Sequence, residues 1–296
     1  MTMAGQLFLY PDSIVSSQWL SDHLHDHNLR VFECTMYLQY DSSGEKPVTA
    51  RNARPEYEAG HIPGAGYLDL QQDLSEQKDS FRFTMPKPDA LAKTLSQFGV
   101  GDGNQIVLYS RNTIQWSTRV WWMMHSIGIE NVAILDGGFE TWVSEGKKTS
   151  IEQANYQQAT LTAKPRNGLF VGKKEVYAAM DDGFTCIMNA LTADVHCGED
   201  ARYGRPGHIP GSVNVPAASL QDLKSLKINK SDEVTKAFVD AGADSRNPVI
   251  VYCGGGVAAT LNAFLLYQLG YKNVAVYDNS MSEWANNPDL PIEIGA

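Results

Sequence analysis

The sequence has few cysteines and lacks the spacings that would make them structural. Its 296 residues include four, Cys34, Cys186, Cys197 and Cys253. None lies in a Cys-x-x-Cys pair or at zinc-finger spacing with histidine, so neither a disulfide scaffold nor a zinc site is predicted. We expect four free thiols, as is usual in a reducing compartment.

The sequence also lacks an excess of positive charge and any long apolar run. Lys and Arg total 24 against 34 Asp and Glu, giving a net charge of −10. Without a basic cluster, neither nucleic acid nor a membrane is expected as a partner. No stretch approaches the roughly 20 apolar residues of a membrane span. The first ten residues have no basic start and no apolar stretch of signal-peptide length, which predicts a cytoplasmic protein.

An internal repeat divides the chain into two similar halves. The segment GHIPGA at 60–65 recurs as GHIPGS at 207–212, IVLYS at 106–110 as VIVYC at 249–253, and LDGGFETW at 135–142 as YDNSMSEW at 277–284. The three matches are collinear, at offsets of 147, 143 and 142 residues. A period of this size indicates two whole domains rather than a solenoid.

Both halves alternate short apolar strands with helical patterns. Strands are predicted at 29–32, 65–68, 105–109, 132–135, 185–188, 212–215, 248–252 and 274–277, and helices at 89–98, 117–127, 231–241 and 258–269. This order predicts the α/β class, with two tandem domains that are each a mainly parallel sheet flanked by helices. We place the domains at 7–145 and 166–296, joined by a polar linker at 146–165.

The turn after the strand at 248–252 is the most unusual segment of the chain. Cys253 ends the strand, and Gly254, Gly255 and Gly256 follow before a helix begins. Glycine permits positive φ, so successive N–H groups can form an anion-binding nest beside the helix N-terminus. Such a nest stabilises a thiolate. We interpret this turn as a catalytic loop with Cys253 as the nucleophile; a tight turn around a buried cysteine is the structural alternative.

Four chemistries use loops of this kind. A cysteine phosphatase needs an arginine where this chain has Ala259, and a P-loop needs a Gly-Lys-Ser/Thr sequence that is absent here. Gly254-x-Gly256-x-x-Ala259, with Asp278 about 20 residues on, fits a dinucleotide fingerprint, but that unit opens a Rossmann domain whereas only one strand follows here. The fourth is sulfur transfer, in which Cys253 carries a sulfane sulfur as a persulfide.

Taken together, these motifs resemble the two-domain rhodaneses, the thiosulfate and 3-mercaptopyruvate sulfurtransferase family. The resemblance rests on RPEYEAGHIPGA at 54–65, RVWW at 119–122, LDGG at 135–138, GHIPGSVNVP at 207–216, the Cys253 loop and VYDNSMSEW at 276–284. It implies a catalytic C-terminal domain whose loop residues bind the substrate, namely Gly254, Gly255, Gly256, Val257 and Ala258 after Cys253. It also implies an inactive N-terminal domain, where Ser110 stands at the matching position.

The same resemblance implies the partners of the reaction. A small anionic sulfur donor would convert Cys253 to a persulfide, and cyanide or a thiol would accept the sulfur. No metal or organic cofactor is implied, and we expect a monomer.

The sequence departs from the family at the positions that bind anions. The loop reads Cys-Gly-Gly-Gly-Val-Ala, without the cations typical of thiosulfate enzymes or the serine typical of mercaptopyruvate enzymes. The family's two substrate-binding arginines correspond here to Leu191 and Val195. Arg202 and Arg205 lie just beyond and either replace them or are solvated loop charges. These departures keep open a second function, a persulfide carrier or binding module with little turnover of the standard donors.

Four further sets of residues carry expectations of their own. His61 and His208 occur in both copies of the turn, so we predict that they cap it; His61 is also a candidate proton shuttle, although the family's acidic partner is replaced by Asn52. Cys197 is either a sulfur acceptor or disulfide partner for Cys253, or an incidental loop cysteine. Four tryptophans are predicted to pack in the core and between domains: Trp121, Trp122, Trp142 and Trp284. The Cys253 loop is expected to open into the cleft between the domains.

Overall fold

The first half of the chain is built around a five-stranded parallel sheet. The computed structural model describes residues 7–40 and 48–295. Its strands and helices in this half are β1 (Ile14–Val15), α1 (Ser17–His23), β2 (Leu29–Glu33), β3 (Met36–Gln39), β4 (Thr49–Asn52), α2 (Arg54–Ala59), β5 (Gly66–Tyr67), α3 (Pro88–Gln97), β6 (Gln105–Tyr109), α4 (Gln115–Ser126), β7 (Val132–Leu135) and α5 (Gly138–Ser144). The sheet has the order β1-β7-β6-β2-β5.

The second half repeats this sheet. Its elements are β8 (Phe170–Val171), α6 (Lys173–Ala179), β9 (Cys186–Asn189), α7 (Ala193–Cys197), β10 (Val213–Asn214), α8 (Ser231–Asp240), β11 (Val249–Tyr252), α9 (Ala259–Gln268), β12 (Val274–Tyr277) and α10 (Ser280–Trp284). The order β10-β9-β11-β12-β8, again parallel, is the first sheet read from its other edge. The predicted α/β class with two tandem parallel sheets is confirmed.

The hairpin of β3 and β4 was not predicted. It pairs antiparallel from Met36 opposite Asn52 to Gln39 opposite Thr49 and forms a separate two-stranded sheet. The hairpin has no counterpart in the second half, so the internal repeat carried no signal for it. Its residues Tyr37, Leu38 and Tyr40 line the cavity described below.

The segment between the two sheets runs along the surface of the first one. Ser150 exchanges two backbone hydrogen bonds with His61, at 2.9 and 2.8 Å. The Tyr156 hydroxyl donates to the carbonyl of Gly64 at 2.6 Å and accepts from the N–H of Val31 at 3.1 Å. These contacts fix the segment to the first domain.

Residues 1–6 lie outside the described residues. The prediction of a cytoplasmic protein, which was drawn from the first ten residues, depends partly on them. Within the ranges 7–40 and 48–295, no helix combines the length and the apolar character needed to cross a membrane.

The two domains contact each other in a pseudo-symmetric way. The Asp136 carboxylate accepts a hydrogen bond from the N–H of Ile228 at 2.8 Å, and at the repeated position Asp278 accepts from the N–H of Met85 at 2.7 Å. Phe83 and Leu226, which precede these N–H groups by two residues, share a left-handed backbone with φ of 61° and 57°. The duplication thus repeats the interface contacts as well as the domains.

Helices α4 and α9 form the centre of the interface. The ring of Trp121 meets that of Phe264 edge-on at 4.7 Å, and the hydroxyls of Thr118 and Thr260 are 3.0 Å apart. The four predicted core tryptophans are all at most 2% exposed. Aromatic pairs of this geometry add stability beyond the area they bury.

A buried histidine near this interface makes stability sensitive to acid. Burial, and then the neighbouring Arg166, lower the pKa of His125 to about 3. The unfolded chain binds this proton near pH 6.5, so we expect the unfolding free energy to fall as the pH drops below about 6.5, by up to about 1.4 kcal/mol per pH unit. His125→Gln should give a shallower pH dependence in urea unfolding between pH 7 and 4. An unchanged slope would contradict this assignment.

Candidate active site

Cys253 lies at the carboxyl end of β11, the middle strand of the second sheet. Its side chain is 2% exposed and lines a cavity of about 1070 Å³ that both domains contribute to. A cavity of this size accommodates an organic ligand. The predicted cleft location of the Cys253 loop is therefore observed.

The backbone N–H groups after Cys253 have no acceptors among the described residues. From Gly254 to Ala258, none donates a hydrogen bond to any residue in the described part of the chain. Helix α9 follows at Ala259, and its N-cap residue Ala258 provides no side-chain cap. Unpaired N–H groups at a helix N-terminus provide positive potential for an anion. All the predicted loop residues except Gly256 line the cavity.

The matching loop of the first domain is closed. The N–H of Arg111 donates to the Thr35 hydroxyl at 3.0 Å, and that of Asn112 donates to Glu140 at 2.8 Å. The Arg111 guanidinium forms an ion pair with the fully buried Glu33 at 2.7 Å. Side chains of the first domain thus accept hydrogen bonds from two backbone N–H groups of its own loop. The corresponding N–H groups of the second domain have no acceptor among the described residues.

Ser280 fixes the start of the Cys253 loop. Its hydroxyl accepts the N–H of Cys253 at 3.0 Å and donates to the carbonyl of Tyr277 at 2.7 Å. Ser280 has φ of +49°, and the equivalent residue of the first domain is Gly138 with φ of +58°. A non-glycine residue in this strained region is characteristic of functional sites. Here the strain places a hydroxyl that glycine could not supply.

Arg119 reaches from the first domain to the end of the loop. It is fully buried and donates to the carbonyl of Gly256 at 3.0 Å and to Asp278 at 2.7 Å. A third bond goes to the carbonyl of Phe83. Since Asp278 is also bound by Met85, both its oxygens are engaged. This disfavours the dinucleotide interpretation, in which that carboxylate would bind a ribose.

Tyr203 packs on the loop from the other side. A Cβ on Gly254 would lie 2.2 Å from the Tyr203 ring, so the ring has room only because residue 254 is glycine. The Tyr203 hydroxyl lies 3.1 Å from that of Tyr40, on the hairpin of the first domain. Burial is the main reason that the pKa of Tyr203 is raised, so its phenol is neutral at physiological pH.

The three loop glycines should differ in their tolerance of alanine. Gly254→Ala would collide with Tyr203, and Gly256→Ala would place a Cβ 2.2 Å from the carbonyl of Asp278 at a φ of +71°. At Gly255 the nearest atom is the Ser282 hydroxyl at 3.7 Å, an ordinary contact. We expect the first two substitutions to lower the free energy of unfolding by at least about 1 kcal/mol, and with it the melting temperature, and to lower activity. Gly255→Ala should have little effect on either. Equal effects for all three would contradict this geometry.

The structure separates the two arginines that were predicted to bind substrate. Arg202 lines the cavity, but its guanidinium donates to Asp200 at 2.9 Å and lies over the ring of Tyr40. Arg205 lies outside the cavity lining and donates to four backbone carbonyls, at Trp284, Ala285, Asn287 and Leu290. That placement gives Arg205 a role in holding the C-terminal segment and does not support substrate contact.

The remaining cysteines do not line the cavity. Cys197 is half-buried, with its thiol directed at the carbonyl of Asp194 at 3.4 Å. Burial raises the pKa of Cys34, and raises that of Cys186 to about 11, so both remain protonated thiols at neutral pH. Nothing in this placement supports a transfer between Cys253 and Cys197.

The two repeated histidines bind backbone carbonyls. The His61 ring nitrogens lie 2.7 and 2.9 Å from the carbonyl oxygens of Tyr57 and Glu152, and the His208 Nδ1 lies 2.8 Å from that of His196. Neither lines the cavity. This geometry agrees with the predicted structural role at the turn and offers no path for a His61 proton shuttle.

Four residues of the site were not predicted from the sequence: Arg82, which lines the cavity, and Arg119, Tyr203 and Ser280. Each comes from an element distant in sequence from Cys253. For two of them the repeat did hold a signal, since Ser280 replaces Gly138 and Arg119 aligns with Asn262 at the 143-residue offset of the loop. At the second of these positions the copies also make different contacts, since Arg119 donates to the carbonyl of Gly256 and Asn262 to that of Val215.

Comparison with known proteins supports the similarity of both halves. The profile of the rhodanese-like domain matches residues 16–145 and 173–287. The 3-mercaptopyruvate sulfurtransferase of Escherichia coli (strain K12) is 30% identical over 282 residues, covering 94% of this chain and 97% of that protein. The thiosulfate sulfurtransferase of Gallus gallus is 28% identical, covering 92% and 93%.

A solved structure matches the arrangement of both domains. The crystal structure of SseA from Escherichia coli, described as a 3-mercaptopyruvate sulfotransferase with the rhodanese fold, superposes with a TM-score of 0.78 at 28% identity. The match covers 90% of this chain and 98% of that one.

Proposed function

The chain belongs to the rhodanese-like domain family, and we propose that it is a sulfurtransferase that carries a sulfane sulfur on Cys253. The observation that carries this proposal is the run of N–H groups from Gly254 to Ala258, beside the thiol, for which the described part of the chain provides no acceptor. The names of its full-length relatives, thiosulfate and 3-mercaptopyruvate sulfurtransferase, support the same reaction class. Free thiols fit a reducing location such as the cytoplasm.

The proposed reaction has two half-reactions. With thiosulfate, the Cys253 thiolate attacks the sulfane sulfur, forms the persulfide Cys–S–S⁻ and releases sulfite. With 3-mercaptopyruvate, the sulfur moves to Cys253 and the thiol proton ends on the carbon of pyruvate. Cyanide then attacks the terminal sulfur of the persulfide, which releases thiocyanate and restores the Cys253 thiolate. When a thiol is the acceptor, the product that leaves is the persulfide of that thiol.

The loop geometry suits the persulfide intermediate. Its terminal sulfur is an anion, and the loop amides together with the N-terminus of α9 would stabilise that charge without rearrangement. The closed loop around Ser110 has neither a thiol nor a full set of free amides. We therefore assign catalysis to the second domain and propose that the first domain is inactive.

A second candidate is a persulfide carrier with little turnover. It is favoured by the apolar Leu191 and Val195 in the cavity wall and by the pairing of Arg202 with Asp200, which leave few cations for a small anionic donor.

Turnover with each donor, followed as thiocyanate formation and as sulfite or pyruvate release, tests the proposal. Multiple turnovers support the enzyme, and a stable persulfide without turnover supports the carrier. Failure of every donor to add sulfur to the protein would reject both.

A further inference from the structure

Among the described residues, the lining of the cavity over Cys253 offers a single uncompensated positive charge. Within the described part of the chain, its lining contains two cations, Arg82 and Arg202, and no carboxylate, lysine or histidine. Arg202 is neutralised by Asp200. Arg82 is half-buried and forms no hydrogen bond or ion pair with any described residue. Of the described lining residues, Arg82 therefore supplies the cation that is available to a ligand.

The rest of the lining is largely apolar. Leu191 and Val195 come from the loop and helix that follow β9, the strand next to Cys253's own, and Trp116 and Phe81 come from the first domain. Phe81 precedes Arg82 directly, so one loop presents an aromatic ring and a cation to the same cavity. A ligand that fits both must have an anionic group and an apolar body.

Charge balance separates the possible sulfur donors. Thiosulfate is a dianion without an apolar part, so entering this cavity would strip water from two charges, with one available described cation and the loop amides to replace it. A monoanion that carries an apolar group meets one arginine with one charge and gains the burial of its apolar surface.

Building on the proposed function, we propose that the preferred donors are monoanions with an apolar body, of the organic thiosulfonate class R–SO₂–S⁻, and that Arg82 binds their sulfonyl oxygens. The group R packs against the apolar walls formed by Phe81 and Leu191. Arg82 is thus a specificity-determining residue contributed by the first domain to the reaction of the second.

The transfer step balances without a further reactant. The Cys253 thiolate attacks the terminal sulfur of R–SO₂–S⁻, the new S–S bond forms, and the bond between the two donor sulfurs breaks with its electron pair leaving on the sulfinate R–SO₂⁻. Two negative charges enter and two leave, one on the persulfide and one on the sulfinate. The amides at Gly254 to Ala258 bind the sulfur that becomes the persulfide anion.

The test measures binding separately from chemistry. Full-length Cys253→Ser protein is titrated by calorimetry with benzenethiosulfonate, methanethiosulfonate and thiosulfate, which vary the apolar body and the charge. We expect benzenethiosulfonate to bind about tenfold or more tightly than either of the others. Adding Arg82→Gln should weaken both thiosulfonates by roughly 10- to 100-fold, and adding Phe81→Ala should weaken only the benzene compound. The exposed Arg246 and Phe184 provide matched controls, as Arg246→Gln and Phe184→Ala.

The outcomes distinguish this inference from the proposed function. Thiosulfate binding as tightly as benzenethiosulfonate, or Arg82→Gln behaving like Arg246→Gln, would overturn the inference. Sulfur transfer to wild-type Cys253 is followed in parallel by mass. If transfer occurs from all donors alike and is indifferent to Arg82, the inference fails and the proposed function stands. If the binding pattern is as expected but no sulfur is transferred, the inference about the cavity stands and the proposed function fails.

Discussion

Cys253→Ser is expected to reduce sulfur transfer to cyanide by at least about 10³-fold, whichever donor is used. A serine hydroxyl is not ionised at neutral pH and does not form the persulfide, so both half-reactions lose their carrier. The fold should be unaffected, since serine is slightly smaller than cysteine and the first domain already has Ser110 at the repeated position. Steady-state thiocyanate formation measures the loss, with melting temperature as the check on folding.

Cys186→Ser and Cys197→Ser are the matched controls for this experiment. Neither residue lines the cavity, so each variant should retain most of the wild-type rate. Activity that survives Cys253→Ser but disappears with Cys197→Ser would show that the nucleophile is assigned to the wrong cysteine.

Arg119→Met is expected to lower the unfolding free energy by about 3–5 kcal/mol, because it leaves Asp278 as a poorly solvated charge in the domain interface. Arg119 is fully buried and the Asp278 side chain is 13% exposed, so water compensates little for the lost partner. The same change removes the hydrogen bond to the carbonyl of Gly256. We therefore expect activity to fall as well, mainly in kcat, since the loop amides lose their fixed orientation. Chemical denaturation and steady-state kinetics measure the two effects.

A double variant separates stability from loop positioning. Arg119→Met with Asp278→Asn removes the stranded charge, and asparagine retains an acceptor for the N–H of Met85, so much of the stability should return. Activity should remain low because Gly256 still lacks its partner. The exposed pair Arg246 and Asp244 is the comparison, for which loss of the ion pair should change stability by less than about 1 kcal/mol. Recovery of full activity in the double variant would contradict a positioning role for Arg119.

Local sequence patterns predicted the parts of the site that are contiguous in the chain. The buried strand β11, the cysteine at its end, the glycines and the start of α9 form one continuous segment, and each residue type has its own physical reason there. The internal repeat then identified Ser110 as the counterpart of Cys253 and implied two copies of one sheet, which the identical strand orders confirm.

Contacts between segments that are distant in the chain could not be predicted from the sequence patterns. The hairpin that carries Tyr40, the loop that carries Arg82 and the helix that carries Arg119 reach Cys253's cavity only through the way the two domains pack. For Arg205, closeness in sequence suggested a contact with substrate that the structure does not support. Arg205 lies close in sequence to the predicted anion site, yet its guanidinium is fully engaged by carbonyls of the C-terminal segment.

The central claim is that Cys253 carries the transferred sulfur, and peptide mapping by mass spectrometry tests it directly. Wild-type protein is incubated with 3-mercaptopyruvate or benzenethiosulfonate, trapped with an alkylating reagent and digested. Our account predicts one added sulfur atom, located on the peptide containing Cys253 and released as thiocyanate when cyanide is added before trapping. Sulfur on a peptide containing Cys34, Cys186 or Cys197, with Cys253 unmodified, would contradict it.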